Sequence, residues 1–192
     1  MKKSFSFMLI VLVSALLMFG CASKEAKDEF VIPTTVEGRT VNTDFVPVTS
    51  VEQIYGKWET VLIQEFSEAD YGVPGGVIIP APYSFEVPVD YEGKLCGMYQ
   101  LSCDYTEFID KMIEVYLAQG MEVTADFLWA NMIAAQPQYE YTSESPYIMY
   151  VTEYVEITDN PADFLGMYIN SDGSQLKITD GISMELLFDK VN

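Results

Sequence analysis

Alternation of apolar and polar residues is the main pattern of the chain after residue 51. From Lys57 to Phe66 both sets of alternate positions carry apolar side chains, which indicates a strand that is well buried or curved. The same period of two, bounded by turn-forming residues, predicts further strands at residues 77–79, 83–89, 95–101, 138–141, 147–157, 165–170, 175–179 and 183–191. The domain is therefore expected to be a mostly antiparallel β protein.

Helical spacing replaces this alternation in the middle of the chain. Asp104 and Glu107 have the spacing of a capping box, and the apolar residues after them share one helical face up to Gly120. A second helix is expected from Thr124 to Ala135, and residues 121–129 also fit the alternation of a strand. The predicted fold class is mainly β (α+β), with one or two inserted helices.

The first residues have the layout of an export signal. Two lysines precede an apolar run at residues 5–19, and Gly20 then precedes Cys21. This segment resembles the lipobox of bacterial lipoproteins. Met18 and Phe19 stand where the usual box has Leu and a small residue, so the match is to relaxed, spirochaete-like boxes.

The resemblance to a lipobox implies how the chain is processed and where it is placed. Cleavage after Gly20 would leave Cys21 acylated on its thiol and its amine, and these acyl chains would anchor the protein in the cell envelope, at the outer membrane or the outer face of the inner membrane. Residues 1–20 are then a signal peptide, residues 21–50 an extended tether and residues 51–192 a single β-rich domain. The alternatives are a plain signal peptide or an N-terminal membrane helix, for which this apolar run is shorter than the usual length of about 20 residues.

Charge and residue usage narrow the range of partners and reactions. The formal net charge of −19 disfavours binding to nucleic acid and leaves the lipid as the expected membrane contact. Histidine is absent, which removes the commonest metal ligand and general base, so no metal, cofactor or enzymatic activity is expected. The alternative is a carboxylate-based hydrolase, since Asp104, Glu107, Asp110 and Glu114 lie along one side of the first helix. Such a row is more often the solvated face of an amphipathic helix.

Two cysteines lie within the predicted domain. Cys96 and Cys103 form an even pair in a chain with an export signal, which predicts a disulfide. The alternative is two separate buried thiols.

The two ends of the domain resemble the lipocalin-like (calycin) barrels. Gly56-Lys57-Trp58 is similar to the Gly-x-Trp of the first strand of these barrels, and residues 172–191 are similar to their last hairpin. The resemblance implies an antiparallel lipocalin-like barrel or curved sheet, in which the glycine permits close approach at the base and the tryptophan closes it. The arginine that often packs on this tryptophan has no counterpart in the domain, since Arg39 lies in the tether.

A barrel of this kind predicts a small apolar ligand held among aromatic side chains. The candidates for this lining are Trp58, Phe85, Tyr99, Tyr141, Tyr150 and Tyr168. The same aromatic residues suit an ordinary core or an exposed protein interface. The alternative function is therefore a surface adhesin, or an interaction protein of an envelope assembly, without a ligand cavity.

Overall fold

The elements described here come from a computed structural model, which describes residues 40–134, 147–158, 160–181 and 185–191. The strands are β1 (Val46–Pro47), β2 (Gly56–Phe66), β3 (Val77–Tyr91), β4 (Lys94–Asp104), β5 (Ile148–Glu156), β6 (Met167–Ile169), β7 (Gln175–Thr179) and β8 (Glu185–Val191). The helices are α1 (Glu68–Tyr71), α2 (Thr106–Ala118) and α3 (Ala125–Ala134), with 3-10 turns at Val51–Ile54 and Pro161–Phe164. None of the helices that these residues form combines the length and the apolar character needed to cross a bilayer.

All eight strands belong to one antiparallel sheet with the order β1-β6-β7-β8-β2-β3-β4-β5. Over the described residues, the outermost strands β1 and β5 do not pair with each other, so the sheet is not closed. The prediction of a closed lipocalin-like barrel is therefore wrong, and the mainly β curved sheet is confirmed. The chain between β4 and β5 forms α2 and α3, which cover the core at this end of the sheet by contacts such as Phe108 on Phe66.

The alternation of buried and exposed side chains along β2 defines the two faces of the sheet. Trp58, Leu62 and Phe66 are buried on one face, which we call the inner face, whereas Glu59 and Val61 lie on the opposite, outer face. Side chains of β6, β7 and β8 join those of β2, β3 and β4 in one hydrophobic cluster on the inner face. The sheet therefore curls around this core, and in the described part of the chain the exposed side chains of β2–β5 lie on its outer face.

A single strand, β3, replaces the two strands that were predicted at residues 77–79 and 83–89. Pro80 and Pro82 lie in the part of β3 that pairs with β2 alone within the described residues, so no second neighbour needs their missing N–H groups. Pro88 lies at a register shift between β3 and β4, where a proline is also tolerated.

The first long helix begins without the predicted capping box. Tyr105 occupies the N-cap position of α2 and makes no side-chain cap hydrogen bond. Asp104 instead accepts hydrogen bonds from the backbone and hydroxyl of Thr106, at 2.9 and 2.6 Å. The second predicted helix is confirmed as α3, where the N–H of Phe127 donates to the hydroxyl of Thr124 at 3.2 Å.

Candidate functional site

Three of the predicted ligand-lining residues lie in the core. Trp58, Phe85 and Tyr99 are each at most 2% exposed on the inner face. The rings of Phe85 and Tyr99 stack with 4.4 Å between centroids, and Tyr83 lies 6.1 Å from Tyr99. Burial raises the pKa of the Tyr99 hydroxyl well above its usual value, as expected for a ring surrounded by core. These rings pack against each other, which is the core alternative that the sequence left open.

Gly56 and Trp58 form a tightly packed corner at the start of β2. Trp58 is fully buried, and its Nε1 donates to the carbonyl of Ile54 at 2.8 Å. The ammonium of Lys190 lies 5.0 Å from the centroid of the Trp58 ring, which makes a cation–π contact. Gly56 has φ of 126°, and a Cβ there would lie 2.9 Å from Cε of Lys190. The glycine therefore makes room for the lysine that covers the tryptophan.

The other three candidates lie in different places. Tyr150 is 37% exposed on the outer face of β5. Tyr168 is half-buried on β6, with the ammonium of Lys177 5.3 Å from its ring centroid. Tyr141 lies outside the described residues. The structure therefore does not bring the six candidates together in one cavity.

The predicted disulfide is absent from the structure, in which both cysteines are buried free thiols. Cys96 and Cys103 lie near opposite ends of the same strand, β4. Seven residues at about 3.3 Å each place their Cα atoms about 23 Å apart, far beyond the roughly 7 Å that a disulfide spans. Burial raises the pKa of the Cys103 thiol to about 12. The alternative of two separate buried thiols is the one that holds.

An open groove of about 630 Å³ crosses the outer face of the sheet. Its floor includes a row of residues that pair directly from one strand to the next: Asp189 with Glu59, Glu59 with Ser84, Ser84 with Gln100, and Gln100 with Thr152. Every member of this row has a polar side chain. Five strands at spacings of about 4.8 Å make the row about 19 Å long.

Apolar and aromatic residues border this polar row on the side towards α2. Val61, Pro82 and Tyr150 line the groove there, on β2, β3 and β5 respectively. The groove therefore offers hydrogen-bonding groups along its centre and apolar surface along one border. We refer to it below as the outer groove.

The charged groups of the outer groove are already paired. The ammonium of Lys57 lies 2.6 Å from the carboxylate of Glu59, and this hydrogen bond raises the pKa of Lys57. Asp189 accepts a hydrogen bond from the side-chain amide of Gln175 at 2.9 Å. In the parts of the chain that the structure describes, no three acidic or cysteine side chains come together as a metal site would require.

Sequence reasoning missed most of this groove. Ser84, Gln100 and Thr152 are ordinary polar residues on predicted strands, and nothing in the sequence distinguishes them from other solvated positions. They become a row only through the register of β3, β4 and β5. The alternation of each strand could have assigned them to one face, and only the pairing aligns them.

The fold and the groove were also compared with known proteins. Comparisons of this chain with protein families, with curated proteins and with solved structures found no match in any of the three.

Proposed function

We propose that this chain is a membrane-anchored lipoprotein of the bacterial cell envelope, non-enzymatic, which binds its partner or ligand on the outer face of its sheet. The N-terminal layout ending at Cys21 supports the anchor. The observation that carries the binding function is the contrast between the two faces of the sheet. The inner face is packed with Trp58, Phe85 and Tyr99, whereas the outer groove is open and lined by polar and aromatic groups.

Binding on the outer face agrees better with the interaction protein than with the carrier of a small apolar ligand. A carrier needs concave apolar surface that is free to receive its cargo, and the aromatic side chains expected to supply it are mostly core. The resemblance to lipocalin-like (calycin) domains remains part of this proposal only for the Gly-x-Trp at the start of β2 and for the last hairpin, now as parts of an open sheet.

A hydrolase would use the two carboxylates of the outer groove. Glu59 and Asp189 are cross-strand neighbours, and such a pair could flank a scissile bond. A general acid, however, usually sits in an apolar pocket that keeps its proton at neutral pH. The Glu59 side chain is 48% exposed and ion-paired with Lys57. This exposed, ion-paired setting differs from such an apolar pocket, so the pair is better suited to binding than to proton transfer.

Replacing the proposed lipid-bearing cysteine tests the anchor. Cys21→Ser is expected to abolish incorporation of labelled fatty acid and to move the protein from the membrane fraction to the soluble fraction, because serine provides no thiol for acylation. Cys103→Ser is the matched control, since this thiol is buried within the domain. Labelling of Cys21→Ser at the level of the unmodified chain would show that the anchor lies elsewhere.

Photo-crosslinking in intact cells tests the binding face. A photoreactive phenylalanine in place of Gln100, in the floor of the outer groove, is expected to add mass to the protein after illumination. The same residue in place of Leu117, which is 53% exposed on α2 and does not line the groove, is the control. The adduct at Gln100 should be lost when Tyr150→Ala is added. No adduct at Gln100, or equal adducts at both positions, would contradict binding on this face.

A further inference from the structure

The uncharged polar side chains of the outer groove have free hydrogen-bonding capacity. Ser84, Gln100, Ser102 and Thr152 all line it, and within the residues that the structure describes none of their side chains has a hydrogen-bonding partner. Hydroxyl and amide groups can both donate and accept. A ligand that satisfies them must therefore present donors and acceptors of its own along its length.

The charges and the hydrogen-bonding groups of the groove disfavour three other kinds of ligand. An anionic polymer would be repelled by a chain of net charge −19. A cationic segment would find the charge of Glu59 already neutralised by Lys57, which leaves Asp189, hydrogen-bonded to the neutral amide of Gln175, as the remaining acidic group among the described lining residues. A purely apolar ligand would cover the hydroxyl and amide groups without hydrogen-bonding them, which is unfavourable. What fits is a neutral molecule rich in hydroxyl groups.

Exposed tyrosine rings flank the polar row where it ends on β5. Tyr150 and Tyr154 lie two residues to either side of Thr152, on the same face, and they are 37% and 38% exposed. Tyr91 stacks on Tyr154 with 4.0 Å between centroids and an angle of 8° between the rings, which holds the Tyr154 ring in place. A tyrosine ring loses little conformational entropy on binding, and its electron-rich face attracts the C–H groups of a sugar ring.

We propose that the outer groove binds a neutral oligosaccharide, which lies across the strands with its hydroxyl groups on the polar row and one sugar ring on Tyr150. This inference rests on the proposed function, since it names the ligand of the same face. A length of about 19 Å for the row favours several linked sugars over a single one. A protein segment is the competing ligand, and the experiment below distinguishes the two.

The test measures binding of the purified full-length chain, in detergent, to immobilised neutral oligosaccharides built from glucose, N-acetylglucosamine, galactose or mannose. We expect at least one of these to bind. Tyr150→Ala should weaken that binding about tenfold, the size expected for losing one aromatic contact. The control is Tyr55→Ala, because Tyr55 is also 37% exposed but does not line the groove.

Salt dependence gives a second measurement. Binding of a neutral sugar should change little with ionic strength, whereas binding of a charged segment should weaken as salt is added. The proposal of an oligosaccharide ligand would be overturned if none of the sugars binds, or if Tyr150→Ala and Tyr55→Ala weaken binding equally.

The crosslink at Gln100 separates failure of this inference from failure of the proposed function. A protein adduct at Gln100 together with no sugar binding would overturn the oligosaccharide and leave the binding face intact. No adduct and no sugar binding would overturn both.

Discussion

Trp58→Ala is expected to lower the free energy of unfolding by about 3–5 kcal/mol. The substitution removes a fully buried ring, the hydrogen bond from its Nε1 to Ile54 and the surface on which Lys190 packs. Domains of this size are stable by only about 5–15 kcal/mol, so at the lower end of that range a large fraction of the variant is unfolded at 37 °C. Denaturant-induced unfolding followed by circular dichroism measures the change.

The second tryptophan of the chain provides the control for this prediction. Trp129 is half-buried on α3, where it contacts Tyr105 and Tyr147 at 6.2 and 6.0 Å between ring centroids. The Trp129→Ala substitution removes a ring that is only half-buried and so leaves a smaller cavity. It should therefore destabilise the protein less than Trp58→Ala does. Equal losses for the two variants would contradict the central position assigned to Trp58.

Gly166→Ala is expected to destabilise the protein by about 2–5 kcal/mol. Gly166 has φ of 83°, a left-handed conformation that costs an ordinary residue about 1–2 kcal/mol. An added Cβ would also lie 2.0 Å from the carbonyl oxygen of Thr179, so the backbone of β7 would have to move, at an overpacking cost of about 1–3 kcal/mol. The backbone of Gly166 and Thr179 is also joined here by a hydrogen bond of 2.9 Å, which the N–H of Thr179 donates to the carbonyl of Gly166.

Gly173→Ala isolates the conformational part of that cost. Gly173 has φ of 71°, and a Cβ there would meet no atom within 4 Å. This variant should therefore lose only about 1–2 kcal/mol. Thermal unfolding of the two variants side by side measures the difference. A Gly166→Ala protein as stable as Gly173→Ala would show that β6 and β7 do not approach as closely as described.

Local patterns in the sequence predicted the elements that depend on neighbouring residues. The alternation of β2, the turn at Asp172–Gly173 and the strands β7 and β8 follow from side-chain period and turn chemistry. The prediction of a cap at Asp104 was wrong because its side chain bonds the backbone N–H of Thr106, two residues further on, while Tyr105 occupies the N-cap position.

The features that the sequence did not predict depend on pairing between residues that are far apart along the chain. The contact of β2 with β8 joins Glu59 to Asp189, 130 positions apart along the chain, and no local pattern specifies it. The disulfide was expected because the sequence of the domain contains two cysteines. The extended strand between them holds them too far apart to form a bond. The outer groove also depends on long-range pairing, because its polar row forms only when five strands pair in register.

The prolines of β3 have a consequence for self-association, should the proposed lipid anchor hold the protein at a membrane. A strand with an unpaired side presents N–H and C=O groups on which another chain can add a strand, and anchoring would concentrate many copies in two dimensions. Pro80 and Pro82 lie in the stretch of β3 that pairs with β2 alone within the described residues, close to Ile78, which is 62% exposed. Having no N–H groups to donate, they make this stretch a poor template for fibrous self-association, so copies can be densely packed and still remain separate molecules.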